Sequence, residues 1–93
     1  DRKWSGLAKI VEEFGETLQV IGRLMMTHGS RDHWSGADLR DDLIDELADS
    51  KAAIAFVERH ALTEVERARL GKRAVAKYQK FEAWRVEQSN DTK

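Results

Sequence analysis

The sequence predicts an all-α fold, a helical bundle of three main helices per chain that is completed by oligomerisation. Apolar residues recur every three or four positions in three segments, which is the spacing of amphipathic helices. No segment of useful length alternates apolar and polar residues, and none of the 93 residues is proline. The length suits a single domain, 1–93, with a tail that we expect to be disordered from about residue 88.

The first helix is predicted from an apolar stripe whose members are three and four residues apart. It is expected to end near His28-Gly29-Ser30. Such a stripe lies along one face of a helix, so we expect that face to be buried. Its members are Leu7, Val11, Phe14, Leu18, Ile21 and Met25.

The second helix is predicted from a similar stripe, with Ser35 as a candidate N-cap. Further large apolar residues lie off the stripes of both helices and widen the surface that needs burial. A homo-oligomer, a dimer or a tetramer, would cover such wide faces. The stripe consists of Leu39, Leu43, Leu47, Ile54 and Val57, and the additional residues are Leu24, Met26, Ile44 and Phe56.

The third helix is predicted to begin at Thr63-Glu64-Val65-Glu66, which has the pattern of a capping box. In that motif the hydroxyl and the second glutamate carboxylate each accept a hydrogen bond from an otherwise unpaired backbone N–H. The apolar stripe of this helix continues through Leu70, Ala74, Tyr78, Phe81 and Trp84.

The composition excludes several classes of site and location. The chain contains no cysteine, which rules out disulfides, thiolate metal sites and cysteine nucleophiles. No apolar run approaches the roughly 20 residues that cross a bilayer, so no membrane partner is expected. No signal-peptide pattern is visible, and a cytoplasmic location is the expectation.

Charge is divided along the chain although the formal net charge is only −1. Residues 38–49 are predominantly acidic, and residues 64–85 are predominantly basic. An acidic block followed by a basic block suits a site that holds cations beside a polyphosphate. Two solvated, mutually complementary helix faces would give the same pattern, and charge alone favours that alternative.

Two pairs of carboxylates are predicted to converge between the first two helices. Glu13 and Glu16 are three residues apart, as are Glu46 and Asp49, so each pair shares a helix side. A hairpin centred near residue 32 pairs positions whose numbers sum to about 64. The midpoints of the pairs, 14.5 and 47.5, sum to 62. The difference is roughly 3 Å along a helix axis, so the four side chains can meet.

Four converging carboxylates repel one another unless protons or a cation neutralise them. Oxygen ligands of this kind are preferred by Mg²⁺, with Mn²⁺ as an alternative, and the absence of cysteine argues against Zn²⁺. Ordinary exposed glutamates remain the alternative for any one of these residues. Two pairs in register favour the metal site.

Two segments resemble a known signature. Val11-Glu12-Glu13-Phe14-Gly15-Glu16 and Asp45-Glu46-Leu47-Ala48-Asp49 are similar to the EExxE…ExxD motif of MazG-type nucleoside triphosphate pyrophosphohydrolases, and the resemblance covers roughly residues 7–85. It implies an all-α, Mg²⁺-dependent enzyme that hydrolyses a nucleoside triphosphate to the monophosphate and pyrophosphate. Removal of non-standard nucleotides from the cellular pool is the role that the resemblance implies.

The resemblance also implies roles for individual residues. It makes Glu13, Glu16, Glu46 and Asp49 the metal ligands, one of which helps to orient or deprotonate the attacking water. The basic stretch of the third helix would meet the substrate phosphates. The implied phosphate contacts are Lys77, then Lys80 and Arg73; Glu12 is auxiliary, and Asp45, one turn before Asp49, is a further auxiliary candidate.

The substrate base is left open by the sequence. Ala48 replaces the usual glycine of the signature, and no asparagine lies beside the basic stretch. Trp34 is a candidate for stacking on a nucleobase, or alternatively for anchoring the hairpin. A narrow dUTP or dCTP pyrophosphatase is the nearest alternative, and phosphoribosyl-ATP hydrolysis is less favoured.

A non-catalytic helical interaction module is the main alternative outside the enzymes. Stabilisation by millimolar Mg²⁺ would distinguish the two, since a module without a metal site should be indifferent to the ion. Nucleic acid is not an expected partner, because the net charge is close to neutral and an acidic block precedes the basic one.

Overall fold

A computed structural model describes residues 4–28 and 38–91, with side chains to residue 88. Three helices occupy these residues: α1 (Leu7–Met26), α2 (Leu39–Ala61) and α3 (Glu64–Asp91). No strand occurs in the two described ranges, so the all-α prediction is confirmed. The chain separates into two compact units, Asp1–Ala61 and Leu62–Lys93. The tail was predicted to be disordered from about residue 88, but α3 continues to Asp91.

Helices α1 and α2 pack as an antiparallel hairpin through small residues. The buried positions are Thr17 and Val20 on α1, and Leu39, Ser50, Ala53 and Val57 on α2. Val11, Leu18 and Met25 of the predicted α1 stripe are well exposed, so the hairpin with α2 does not bury them. Short side chains let two helix backbones approach more closely than large ones do, and the hairpin therefore forms on the side of Thr17.

The register of the hairpin agrees with the one predicted. The Thr17 hydroxyl donates to the Glu46 carbonyl oxygen at 3.1 Å, and 17 and 46 sum to 63. A Cβ at Gly6 would lie 3.0 Å from Val57 Cγ2, and 6 and 57 also sum to 63. The expected sum of about 64 is thus met at two levels of the hairpin.

The helix termini follow local sequence signals. Thr63 N donates to Glu66 Oε1 at 2.8 Å and Glu66 N donates to Thr63 Oγ1 at 3.2 Å, which confirms the capping box of α3. Asp38, rather than Ser35, caps α2, because its Oδ1 accepts from the backbone N–H groups of Arg40 and Asp41 at 3.0 and 3.2 Å. Ser35 itself lies outside the described residues.

Helix α3 carries its large apolar residues in exposed positions. Tyr78, Phe81 and Trp84, which lie on the predicted apolar stripe of this helix, are each more than half exposed, whereas Leu70 is half-buried. Completion of the bundle by oligomerisation stays a prediction. Among the helices of residues 4–28 and 38–91, none combines the length and the apolar character that crossing a bilayer requires.

Candidate metal centre

Three of the four predicted carboxylates meet between α1 and α2. Glu13, Glu16 and Glu46 each offer an oxygen, and these oxygens all lie within 4.8 Å of one another. Glu13 and Glu46 are half-buried and face each other across the hairpin, while Glu16 is exposed at its edge. The structure therefore brings together an i,i+3 pair from α1 and a single carboxylate from α2.

Two oxygens of this cluster are buried without a hydrogen-bond donor. They are Glu13 Oε2 and Glu46 Oε2, neither of which has a partner within the described part of the chain. Burying a carboxylate oxygen without a compensating interaction is costly, and each such atom in a native structure calls for a proton, a water or an ion. Hard oxygen donors from three carboxylates fit Mg²⁺, with Mn²⁺ as the alternative.

Burial and neighbouring negative charge act on the Glu13 and Glu46 carboxyls. Burial is the largest cause that raises the pKa of the Glu13 carboxyl, and the negative charge of Glu16 raises it further. The pKa of the Glu46 carboxyl is raised by the same two causes in the same order. A divalent cation would reverse both effects, because it stabilises the ionised carboxylates.

Asp49, the fourth predicted ligand, is not one of the three clustered carboxylates. Its charge nevertheless raises the pKa of both Glu13 and Glu46, so it lies close to the cluster. Asp49 and Glu13 also line an open cleft of about 410 Å³. The remaining lining residues are Lys9, Ala52, Ala53 and Phe56.

Two buried hydroxyls hold the backbones together directly behind the acidic cluster. Thr17 Oγ1 lies 2.8 Å from Ser50 Oγ, and it donates to the carbonyls of Glu13 and Glu46 at 3.0 and 3.1 Å. Ser50 Oγ also lies 3.3 Å from the Glu13 carbonyl oxygen. These carbonyls belong to Glu13 and Glu46 themselves. The hydroxyl pair therefore fixes the distance between the two backbone segments that carry the carboxylates.

Sequence reasoning missed Thr17, Ser50, Lys9 and Phe56. A signal existed for the hydroxyls, since each lies four residues after a predicted ligand, one turn along the same helix face. For Lys9 a weaker signal existed, because it precedes Glu13 by one turn. Phe56 carries no signal beyond lying off the predicted stripe of α2.

Thr17→Val is expected to lower the free energy of unfolding by about 1–3 kcal/mol, because it removes a buried donor to two carbonyls without a change of shape. Ser50→Ala should cost about 0.5–1.5 kcal/mol, since Thr17 keeps its carbonyl acceptors. The double variant should cost at least roughly 0.5 kcal/mol less than the two single variants together. Urea unfolding of all four proteins measures this coupling, and strict additivity would contradict a direct hydroxyl–hydroxyl bond.

Metal-free protein is expected to lose stability as the pH rises from about 4.5 towards neutrality. Between the ordinary pKa of 4.5 and the raised values, the folded Glu13 and Glu46 carboxyls hold protons that the unfolded chain has released, so the unfolding free energy falls with pH. Glu66, whose pKa is lowered by hydrogen bonds from Thr63, acts in the opposite sense below pH 4.5. Urea unfolding in a chelator across this range measures the slope, which should flatten in a Glu13→Gln/Glu46→Gln variant.

The remaining predicted site residues are distributed as follows. Glu12 is exposed and pairs with Lys9 at 3.3 Å, and Asp45 is also exposed. Lys77, Lys80 and Arg73 are exposed on α3 in the second unit, where the Lys77 ammonium lies 5.7 Å from the centre of the Phe81 ring. Their contact with phosphates stays a prediction. Trp34 lies outside the described residues.

Comparison of the chain with protein-family models, with curated proteins and with solved structures finds no match. The site must therefore be interpreted from its own chemistry and from the motif resemblance. Three carboxylates able to share a divalent cation lie beside an open, largely apolar cleft with one lysine in its wall. Such an arrangement can hold a metal ion together with an anionic ligand that has an apolar part.

Proposed function

We propose that this protein is a Mg²⁺-dependent nucleoside triphosphate pyrophosphohydrolase, which converts a (d)NTP and water to a (d)NMP and pyrophosphate. The observation that carries the proposal is the convergence of Glu13, Glu16 and Glu46 within 4.8 Å, with two buried carboxylate oxygens lacking a donor. These residues belong to the two segments that resemble the EExxE…ExxD signature. Mn²⁺ is the alternative ion.

The chain's carboxylates divide into two roles in this proposal. Glu13, Glu16 and Glu46 hold the ion, which when bound neutralises charge on the phosphate oxygens and lowers the pKa of water. Asp49 stands apart from the three clustered residues and lines the cleft, so we assign to it the orientation of the attacking water and the acceptance of its proton. Attack at the α-phosphorus forms the new P–O bond and releases pyrophosphate.

The cleft beside the carboxylates supports a nucleotide as substrate. Its volume of about 410 Å³ falls in the range of small-ligand sites, about 300–1,000 Å³. Phe56, Ala52 and Ala53 offer an apolar surface to the nucleoside, and Lys9 offers positive charge to a phosphate. Further phosphate contacts from Lys77, Lys80 and Arg73 rest on the motif resemblance.

A homo-oligomer, dimer or tetramer, is part of the proposal. Many large apolar side chains of the described residues are exposed in the single chain, among them Trp4, Val11, Met26, Tyr78 and Trp84. Contiguous apolar patches beyond a few hundred Å² mark interaction surfaces in soluble proteins. A cytoplasmic enzyme that removes non-standard nucleotides is the role we infer, with dUTP and dCTP as the alternative narrow substrates.

The decisive experiment measures pyrophosphate release from a panel of NTPs and dNTPs, with Mg²⁺ and with a chelator. Release should require the metal and should disappear in Glu46→Gln, whereas Asp41→Asn, an exposed acidic change on the same helix, should retain it. The preferred base then separates a broad enzyme from a dUTP or dCTP pyrophosphatase. A folded protein that releases no pyrophosphate from any nucleotide would overturn the proposal in favour of a non-catalytic interaction module, which the exposed apolar residues also suit.

A further inference from the structure

Helix α1 presents a second apolar surface on nearly the opposite side from α2. We define the outer seam as Ala8, Val11, Gly15, Leu18, Gly22 and Met25, all of which are exposed. At 100° per residue the middle of the outer seam lies roughly 160° around the helix from the middle of the buried pair Thr17 and Val20, and Met25 is at the edge nearest Thr17. Val11, Leu18 and Met25 are 74, 66 and 73% exposed, so the large residues of the seam remain in water in the single chain.

The outer seam alternates small and large residues with a seven-residue repeat. Ala8, Gly15 and Gly22 form the small set, and Val11, Leu18 and Met25 form the large set. Glycine within a helix is unfavourable, and neither seam glycine has a positive φ that would require it. No atom of residues 4–28 and 38–88 lies within 4 Å of a Cβ built at Gly15 or Gly22. Packing within the described α1–α2 hairpin therefore does not explain these glycines, whereas close approach of a further helix would.

We propose that the outer seam pairs with the outer seam of a second copy of this chain, antiparallel, about a twofold axis between residues 15 and 18. Antiparallel helices bring together residues whose numbers have a constant sum. The pairs 8 and 25, 11 and 22, and 15 and 18 each sum to 33. In that single register every large residue of the seam meets a small residue of the partner, and all six positions are used.

The edges of the seam are also complementary in this register. A twofold axis perpendicular to the helices keeps each edge on its own side, so the polar edge of one α1 meets the polar edge of the other. There Glu12 of one copy lies near Arg23 of the partner subunit. Their numbers sum to 35 rather than 33, which separates the two residues by roughly 3 Å along the helix axis. On the apolar edge Phe14 and Ile21 have the same sum. Parallel pairing, whose twofold axis runs along the helices, would instead set the polar edge of each α1 against the apolar edge of the other and each large residue of the seam against its equal.

This inference rests on the homo-oligomer included in the proposed function, but not on the hydrolysis of nucleotides. It specifies the partner as a second copy and the contact as an isologous helix pair. The acidic cluster lies on the α2 side of α1, so the pairing leaves both clefts of the dimer open. Dimer formation and catalysis can therefore be tested separately.

The first test uses glycine replacement and sedimentation equilibrium of the full chain. Gly22→Leu should weaken the dimer at least about tenfold without loss of helix content, because leucine favours a helix yet blocks close approach. Gly71→Leu is the matched control, since Gly71 is equally open within α3, and it should leave the dissociation constant unchanged. A wild-type protein that is monomeric at 100 µM would overturn the inference, as would a dimer that Gly22→Leu leaves intact.

The second test determines orientation and exploits the absence of cysteine from the chain. A Val11→Cys/Gly22→Cys variant has its two thiols 11 residues apart, about 16 Å along the helix, too far for an intrachain disulfide. Mild oxidation should convert it to a covalent dimer. Met25→Cys alone should not cross-link, because its copies are close only in a parallel pair. Cross-linking of Met25→Cys but not of Val11→Cys/Gly22→Cys would overturn the antiparallel pair, as would cross-links that place the seam against α3. Pyrophosphate release by Glu46→Gln would overturn only the proposed function.

Discussion

Glu46→Gln is expected to bind Mg²⁺ on the order of 100-fold more weakly than the wild-type protein, since removing even an outer-shell partner of a metal site costs about 10–100-fold. The substitution removes one of three carboxylates whose oxygens lie within 4.8 Å, and it is the only one of the three that α2 contributes. A site confined to Glu13 and Glu16 of α1 would no longer bridge the hairpin. Isothermal titration calorimetry at pH 7.5 measures the affinity.

The same substitution should raise the stability of the metal-free protein near neutral pH. Burial and the charge of Glu16 raise the pKa of Glu46, so its ionised form is disfavoured in the folded state, and a neutral amide avoids that cost. Mg²⁺ should therefore stabilise the wild-type protein strongly and Glu46→Gln little, with the order of stabilities reversed in a chelator. Asp49→Asn is the matched comparison and should affect turnover more than affinity. Equal stabilisation of both proteins by Mg²⁺ would place the ion elsewhere.

The three helices and the start of α3 were predictable because each depends on local sequence, and the hairpin register was predictable from the position of the loop. Apolar spacing defined the three helices, and Thr63 and Glu66 together defined the N-terminus of α3. The register followed from the centre of the hairpin near residue 32, because antiparallel neighbours pair positions whose numbers have a constant sum. Convergence of Glu13, Glu16 and Glu46 then followed from this register and the three-residue spacing, whereas Asp49, predicted by the same reasoning, is not one of the three clustered carboxylates. These parts of the fold and the site needed no knowledge of tertiary packing.

The choice of face on α1 could not be predicted in the same way. This helix is apolar over much more than half its circumference, so the large-residue stripe and the side of Thr17 were both candidates for burial. Packing density decides between them, and Thr17 and Ser50 permit a closer contact than Leu18 would. The cap of α2 was ambiguous for a related reason, because Ser35 and Asp38 both carry suitable oxygens. Only the helix start at Leu39 selects Asp38.

Gly6→Ala is expected to lower the free energy of unfolding by about 2–4 kcal/mol. Gly6 is the N-cap of α1 and has φ 92°, a left-handed conformation that L residues rarely adopt. An added Cβ would also lie 2.6 Å from Phe56 Cδ1, a distance that real Cβ atoms almost never show, and 3.0 Å from Val57 Cγ2, which is closer than most real Cβ contacts. Backbone strain and overpacking therefore act together where α1 enters the hairpin. Urea unfolding measures the change.

Two further variants separate the two causes. Gly6→Asn tolerates a left-handed φ but still carries a Cβ, so its cost reports mainly the contact with Phe56. Phe56→Ala in the Gly6→Ala background removes the 2.6 Å contact and leaves only the backbone strain. Gly71→Ala, at an open helical position, should instead be neutral or stabilising by about 0.5–1 kcal/mol. Phe56 also lines the cleft beside Glu13 and Asp49. Displacement of the N-terminus of α1 in Gly6→Ala should therefore weaken Mg²⁺ binding as well. Unchanged affinity would show that the acidic cluster is positioned independently of the contact between residue 6 and Phe56.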